Sequence, residues 1–156
     1  MAAQPSAQRA IARNKRARYD YFIDETIEAG IMLAGTEVKT LRQGQASLSE
    51  SWAGPRDGAL WLHNCYIPEY KNSRHFNHET RRPRKLLLHK REMNRLMGAA
   101  ARQGVTIVPM SIYFNDRGIA KVLLGLARGK RKFDKRQTSK DRDWKRQKAR
   151  VMREKG

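Results

Sequence analysis

The apolar positions come in short runs punctuated by turn residues, a rhythm that predicts more strand than helix. Tyr19 to Ile23 and Ile27 to Leu33 hold aromatic and β-branched residues broken by acids, as two strands would. Gly35 to Leu41 predicts a short helix. Glu37 lies in its first turn, Val38 and Leu41 form an apolar i, i+3 pair, and Gly44 supplies the stop. Ser47 to Ala53 and Ala59 to Ile67 predict two further strands, joined by Gly54-Pro55-Arg56-Asp57-Gly58 with its turn chemistry. Glu69 to Arg84 is polar and reads as a long surface loop. The clearest helix is Arg91 to Gln103, where Met93, Leu96, Met97 and Ala100 recur at i, i+3, i+4 and i+7 before Gly104. Val105 to Phe114 and Ile119 to Ala127 then predict a hairpin around Asn115-Asp116-Arg117-Gly118. Thr106, Val108, Met110, Ile112 and Phe114 alternate onto one face, and Pro109 among them marks an edge or a bulge. The predicted order is β-β-α-β-β-loop-α-β-β. Such a sheet either closes into a small barrel of the OB type or packs as an α+β sandwich, and periodicity leaves both open.

Charge changes the picture from a fold to a partner. The 156 residues include 34 Lys+Arg against 15 Asp+Glu, a net charge of +19. The default partner of so basic a chain is a polyanion. The charge is unevenly spread. Residues 1–18 carry five basic residues and no acid; residues 129–156 carry 13 basic and four acidic residues, a net +9. That leaves +5 for the long centre between them. The expected organisation is a flexible basic arm (1–13), a folded polyanion-binding domain (14–128) and a basic tail (129–156). The N-terminal residues, Ala-rich, acid-free and Arg-containing, share the composition of a transit peptide. Their short length, and the cluster Arg13-Asn14-Lys15-Arg16-Ala17-Arg18 running straight into the first strand, favour the arm. The tail has too few apolar residues to offset the entropy of ordering, so it is expected to be disordered when free. Trp144, Lys148, Val151 and Met152 at helical spacing predict that it folds on a surface.

Candidate chemistry is sparse. No phosphate-binding glycine loop, nucleophile elbow or Cys-x-x-Cys pair is present. His75, His78 and Glu79 form the best metal candidate, but a metal site needs three or four converging ligands and this polar loop offers no Cys pair. Cys65 and His63 would share one face of a strand, yet a strand-borne Cys is far more often buried core. The single Cys excludes an intrachain disulfide and points to a reducing compartment. No apolar run approaches the roughly 20 residues of a bilayer-spanning helix, so a soluble, cytoplasmic chain without a membrane partner is expected. Binding, not catalysis, is the expected function. Tyr19, Tyr21 and Phe22 could stack bases while Arg16 and Arg18 hold phosphates. Alternatively, Tyr21 and Ile23 face the core and Tyr19 stays exposed at the strand start.

Several strings in order carry a family resemblance: Asn14-Lys15-Arg16-Ala17-Arg18-Tyr19-Asp20-Tyr21, Glu28-Ala29-Gly30, Gly35-Thr36-Glu37-Val38-Lys39-Thr40-Leu41-Arg42, Arg84-Lys85-Leu86-Leu87-Leu88, and Gly129-Lys130-Arg131-Lys132-Phe133-Asp134-Lys135-Arg136 with Asp143-Trp144-Lys145 downstream. From about Asn14 to the C-terminus the chain resembles the SmpB family, the SsrA-binding proteins of trans-translation. The resemblance implies an all-β-dominated fold, an OB-type antiparallel barrel with flanking helices and a disordered basic C-terminal tail. It implies a nonenzymatic RNA-binding adaptor without a cofactor. Such a protein binds the tRNA-like domain of transfer-messenger RNA (tmRNA, SsrA RNA) and delivers it to stalled ribosomes. Its tail enters the empty mRNA channel and becomes helical there, which allows the nascent peptide to be tagged. The implied partners are tmRNA, the small subunit with its decoding centre and, indirectly, elongation factor Tu and alanyl-tmRNA. By resemblance, Asn14, Arg16, Arg18, Tyr19, Glu28, Leu87, Lys121 and Lys130 are RNA-binding, and Phe133, Asp134, Lys135, Arg136 and Trp144 serve the ribosome-binding tail. Tyr19 and Phe133 stand where many family members have His, so a ring is kept and a titratable imidazole is not.

Overall fold

The computed structural model describes residues 10–102, 104–129 and 142–148. Seven strands form one antiparallel sheet: β1 (Ala10–Arg13), β2 (Tyr21–Ile31), β3 (Trp52–Arg56), β4 (Ala59–His63), β5 (Arg84–Leu87), β6 (Val105–Phe114) and β7 (Ala120–Gly129). Among the described residues the named helices are α1 (Ala17–Asp20), α2 (Gly35–Arg42) and α3 (Lys90–Ala100), and residues 142–148 are also helical. The sheet order is β1-β6-β3-β4-β5-β2-β7, and a further β6–β7 pairing closes it on itself. Six strands therefore make an OB-type barrel, and β1 lies alongside β6. Closure decides between barrel and sandwich in favour of the barrel. Among the described residues no helix is long and apolar enough to cross a membrane.

Two cores result from two bulges. Along β7, Val122, Leu124 and Leu126 face the main core, whereas Gly125 and Ala127 turn to the opposite face. In β6, Ile107 and Ile112 face the main core although five residues separate them, an odd spacing that strict alternation forbids. The register shift between Pro109 and Ser111 supplies the missing residue. The expectation that Thr106 to Phe114 alternates onto one face is thus corrected: Val108 and Met110 pack in a small second core with Ala17 and Ala127, while Ile112 and Phe114 belong to the first. A second shift, between Ile23 and Glu25, does the same in β2. Tyr21 and Ile23 accordingly pack under α1 in the second core, and Ile27, Ala29 and Ile31 enter the main one.

Other expectations shift as well. The two strands expected between Tyr19 and Leu33 are one, β2, preceded by the helical turn α1, so Tyr19 sits on α1 and not on a strand. Residues 10–13, assigned to the flexible arm, are a strand with Ala12 in the core. The β3–β4 turn is tighter than Gly54–Gly58. Pro55 still pairs with Leu60, and only Asp57 (φ 50°) and Gly58 (φ 75°) take the left-handed conformation of a two-residue hairpin. The polar loop ends earlier than Arg84, which opens β5.

Buried charge ties α2 to β5. Glu37 and Arg84 are both fully buried. The Glu37 carboxylate accepts from the Ala34 amide (2.8 Å), from Arg82 Nε (3.1 Å) and from Arg84 Nε. Arg84 also donates to the carbonyls of Cys65 (2.7 Å) and Thr80 (3.2 Å). Burial pushes the Glu37 carboxyl up, but Arg82, the Ala34 amide and Arg84 together outweigh it and hold it below its ordinary value. His78 is a strut of the same kind. Its Nε2 donates to the Ile67 carbonyl, leaving Nδ1 to accept from the Thr36 hydroxyl, both at 2.9 Å.

Candidate RNA-binding surface

Positions on one face of β6, β7, β2 and β5 fall into one row, its β6 member Tyr113 buried. Lys121 pairs with Tyr113 on one side and with Gly30 on the other, and Gly30 pairs with Leu87. Side chains directly opposite one another share a face, so Tyr113, Lys121 and Leu87 lie in line across four strands. Gly30 leaves the gap in that row. A Cβ there would lie 3.2 Å from the Leu87 Cβ, so the glycine lets Leu87 settle across β2. Glu28, two residues back along β2, shares this face. The result is a shallow depression lined by Glu28, Gly30, Leu87, Leu88, His89, Glu92 and Lys121.

The depression is polar with one apolar contact surface. The Tyr113 hydroxyl donates to Glu28 Oε2 and fixes the carboxylate. Burial, then the hydrogen bond and the charge of Glu28, push that hydroxyl upward, so Tyr113 remains a donor at any physiological pH. Glu28 keeps lone pairs for amino or 2′-hydroxyl donors of a nucleotide, Lys121 offers a cation for phosphate, and Leu87 is 47% exposed.

The structure brings Glu28, Leu87 and Lys121 together but places the other sequence-derived residues elsewhere. Asn14 is committed to the fold: its amide side chain donates to the Pro109 carbonyl (3.1 Å) and its backbone N–H to Met110 (2.8 Å), which clips the entry segment to the β6 bulge. Arg16 is exposed, 3.6 Å from Asp20, with its guanidinium 5.6 Å from the Tyr19 ring. Arg142 lies over the same ring at 5.2 Å. Two cations of its own chain thus lie against the Tyr19 ring, and Arg18 is exposed beside it. Residues 142–148 are helical and exposed, Trp144 included. Lys130, Phe133, Asp134, Lys135 and Arg136 lie outside the described residues. The Arg16–Tyr19 patch precedes β2, and Gly30 nearly ends it. Nine strand residues at about 3.3 Å each separate the two groups by at most roughly 30 Å along the bulged strand. They are two surfaces, not one.

The remaining chemical candidates resolve into structure. Cys65 is fully buried and its thiol is pushed up to about 11 by burial. Asn64 takes a left-handed φ of 59°, which ends the strand and separates Cys65 in the core from His63 on the surface. His63 instead stacks on Trp52. Missing from the sequence reading were Tyr113, which holds Glu28, and His89 and Glu92, which complete the depression. Only the cross-strand register Tyr113–Lys121–Gly30 could have revealed Tyr113, and register needs the hairpin's bulge to be known.

Comparison with known proteins agrees with this architecture. The SmpB protein family model matches residues 11–154. An SsrA-binding protein of Methylobacterium sp. strain 4-46 is 57% identical over 150 residues, covering 96% of each chain. That of Paramagnetospirillum magneticum is 60% identical over 145 residues, covering 93% of this chain and 95% of the other. A solved chain described as "tmRNA-SmpB: a journey to the center of the bacterial ribosome" superposes with a TM-score of 0.65 at 56% identity, over 77% of this chain and 84% of that one. With a family match over nearly the whole length, the barrel and the ordered signatures in agreement, this chain belongs to the SmpB family.

Proposed function

We propose that the chain is an RNA-binding adaptor of trans-translation that binds tmRNA through its barrel and acts with it at the ribosome, in the cytoplasm. The observation that carries this is the convergence of Glu28, Leu87 and Lys121 from three strands into one depression. An anion, a cation and an apolar contact placed together suit a folded RNA's backbone and unpaired edges better than they suit bulk polyanion, for which cations alone suffice. The Arg16–Tyr19 patch at the other end of β2 is a second phosphate- and ring-binding surface. The tail, with nearly half the net charge, serves the ribosome: Lys130, Phe133, Asp134, Lys135 and Arg136 would meet the decoding centre and Trp144 the helical part in the mRNA channel. Elongation factor Tu joins through the alanylated RNA. The chemistry is recognition, and the protein acts as an adaptor without catalysing a step.

Sequencing of RNA that copurifies with the full chain tests the reading. One structured small RNA enriched over ribosomal RNA supports it, whereas bulk ribosomal RNA alone would instead indicate a structural ribosomal protein. Lys121→Ala should weaken binding of the tRNA-like RNA about tenfold and lower the log–log salt slope by about 0.7 to 0.9, one phosphate's worth.

A further inference from the structure

The β3–β4 hairpin carries ring surface used neither by the core nor by the depression. Trp52 and His63 are directly opposite in register, and their rings stack with centroids 4.0 Å apart and planes 19° from parallel. Trp52 is nevertheless 53% exposed, so with one indole face on His63 the other faces solvent. The ring is mounted rather than adrift. Gly54, on the same side of β3, leaves room for it: a Cβ there would sit 2.6 Å from the indole edge, and any other residue would push the ring away. Burial and the nearby charge of Arg56 keep the His63 imidazole from charging readily, so the backing ring stays neutral.

Trp52 also lines a cleft with Asn14, Arg16, Asp20, Tyr21, Ser49 and Ser51. That cleft is continuous with the Arg16–Tyr19 patch. It therefore joins an open π-face, an exposed guanidinium and a rim of hydroxyls. A preformed ring loses little conformational freedom when a base stacks on it. Planar stacking beside a cation is how proteins hold unpaired nucleotides. A protein partner could stack a guanidinium on the same plane, but a net charge of +19 repels such a cationic segment and brings polyanions here first.

We propose that Trp52, backed by His63, is a stacking platform for one unpaired nucleobase of bound RNA, with Arg16 taking an adjacent phosphate. The proposal rests on the RNA-binding reading and adds a third recognition point to it.

The test uses the full chain with an oligoadenylate and an abasic oligonucleotide of the same length and phosphate count. The intact chain should bind the oligoadenylate more tightly, with quenching of tryptophan fluorescence. Trp52→Leu keeps apolar bulk without a π-face and should lose about tenfold in oligoadenylate affinity, with the salt slope unchanged. Trp52→Phe should retain most of it, and Arg16→Ala should instead lower the slope by about 0.7. Equal affinity of the intact chain for both oligonucleotides, or parental affinity in Trp52→Leu, overturns stacking and leaves the surface to a protein partner. Either failure stands apart from failure of the RNA-binding reading, which would appear as loss of selective tmRNA recovery by the intact chain.

Discussion

Glu37 shows how much a single side chain can carry. Replacing it with Gln leaves the buried Arg84 guanidinium without its counter-charge, and breaking a buried pair of this kind costs about 3–5 kcal/mol. Chemical denaturation of Glu37→Gln should show that loss with little change in the m-value. The folded-state pKa of Glu37 is depressed, so its contribution is present above the ordinary carboxylate value of 4.5 and is lost as pH falls through the folded value. The acid limb of the stability profile should therefore be shallower in Glu37→Gln than in the parent. None of this was legible in the sequence. Glu37 reads there as an acid in a helix's first turn, because its partners Arg82 and Arg84 lie 45 and 47 residues downstream. Arg84 reads as the end of a polar loop for the same reason. At the recognition surface, Tyr113→Phe should leave the fold intact and weaken RNA binding by freeing the Glu28 carboxylate to rotate, which calorimetric titration with the tRNA-like RNA would detect.

Hairpins and helices with local patterns were readable, and strands defined by distant partners were not. α3 follows its own apolar stripe, and Leu96, Met93, Met97 and Ala100 all reach the main core as the periodicity predicts. The β6–β7 hairpin and the Asp57–Gly58 turn are likewise written in neighbouring residues. β1 is different: four residues beside a basic cluster become a strand only because the C-terminal half of β6 offers an edge. Truncation through Arg13 should consequently lower the melting temperature by several degrees, since it strips Ala12 from the core along with a row of ladder bonds. The bulges escape pattern reading because each reverses the face on which alternation continues. Gly125 lies where the second core presses closest, with Met110 Sδ 3.0 Å and Ile23 Cγ2 3.2 Å from any added Cβ. Gly125→Val should cost about 1–3 kcal/mol by overpacking, measured as a shift in the denaturation midpoint.

For the molecule as a whole, net charge and its useful placement part company. The centre of the chain holds only a modest share of the +19, yet all three residues gathered in the depression come from it. Deleting residues 130–156 should therefore leave affinity for the tRNA-like RNA largely unchanged while abolishing tagging on stalled ribosomes; equal loss of both would deny the tail a separate role. Filter binding and a tagging assay on the same preparation distinguish the outcomes. The two surfaces at the ends of β2 add a geometric consequence. A β-strand locked between two neighbours does not stretch, so β2 would work as the fixed beam of a caliper whose jaws stand at most about 30 Å apart. Short or floppy RNAs can occupy one jaw, but only a ligand whose own fold sets the same span can close on both. The number of residues in one strand would then act as a length standard, choosing an RNA by its dimensions before any base is read.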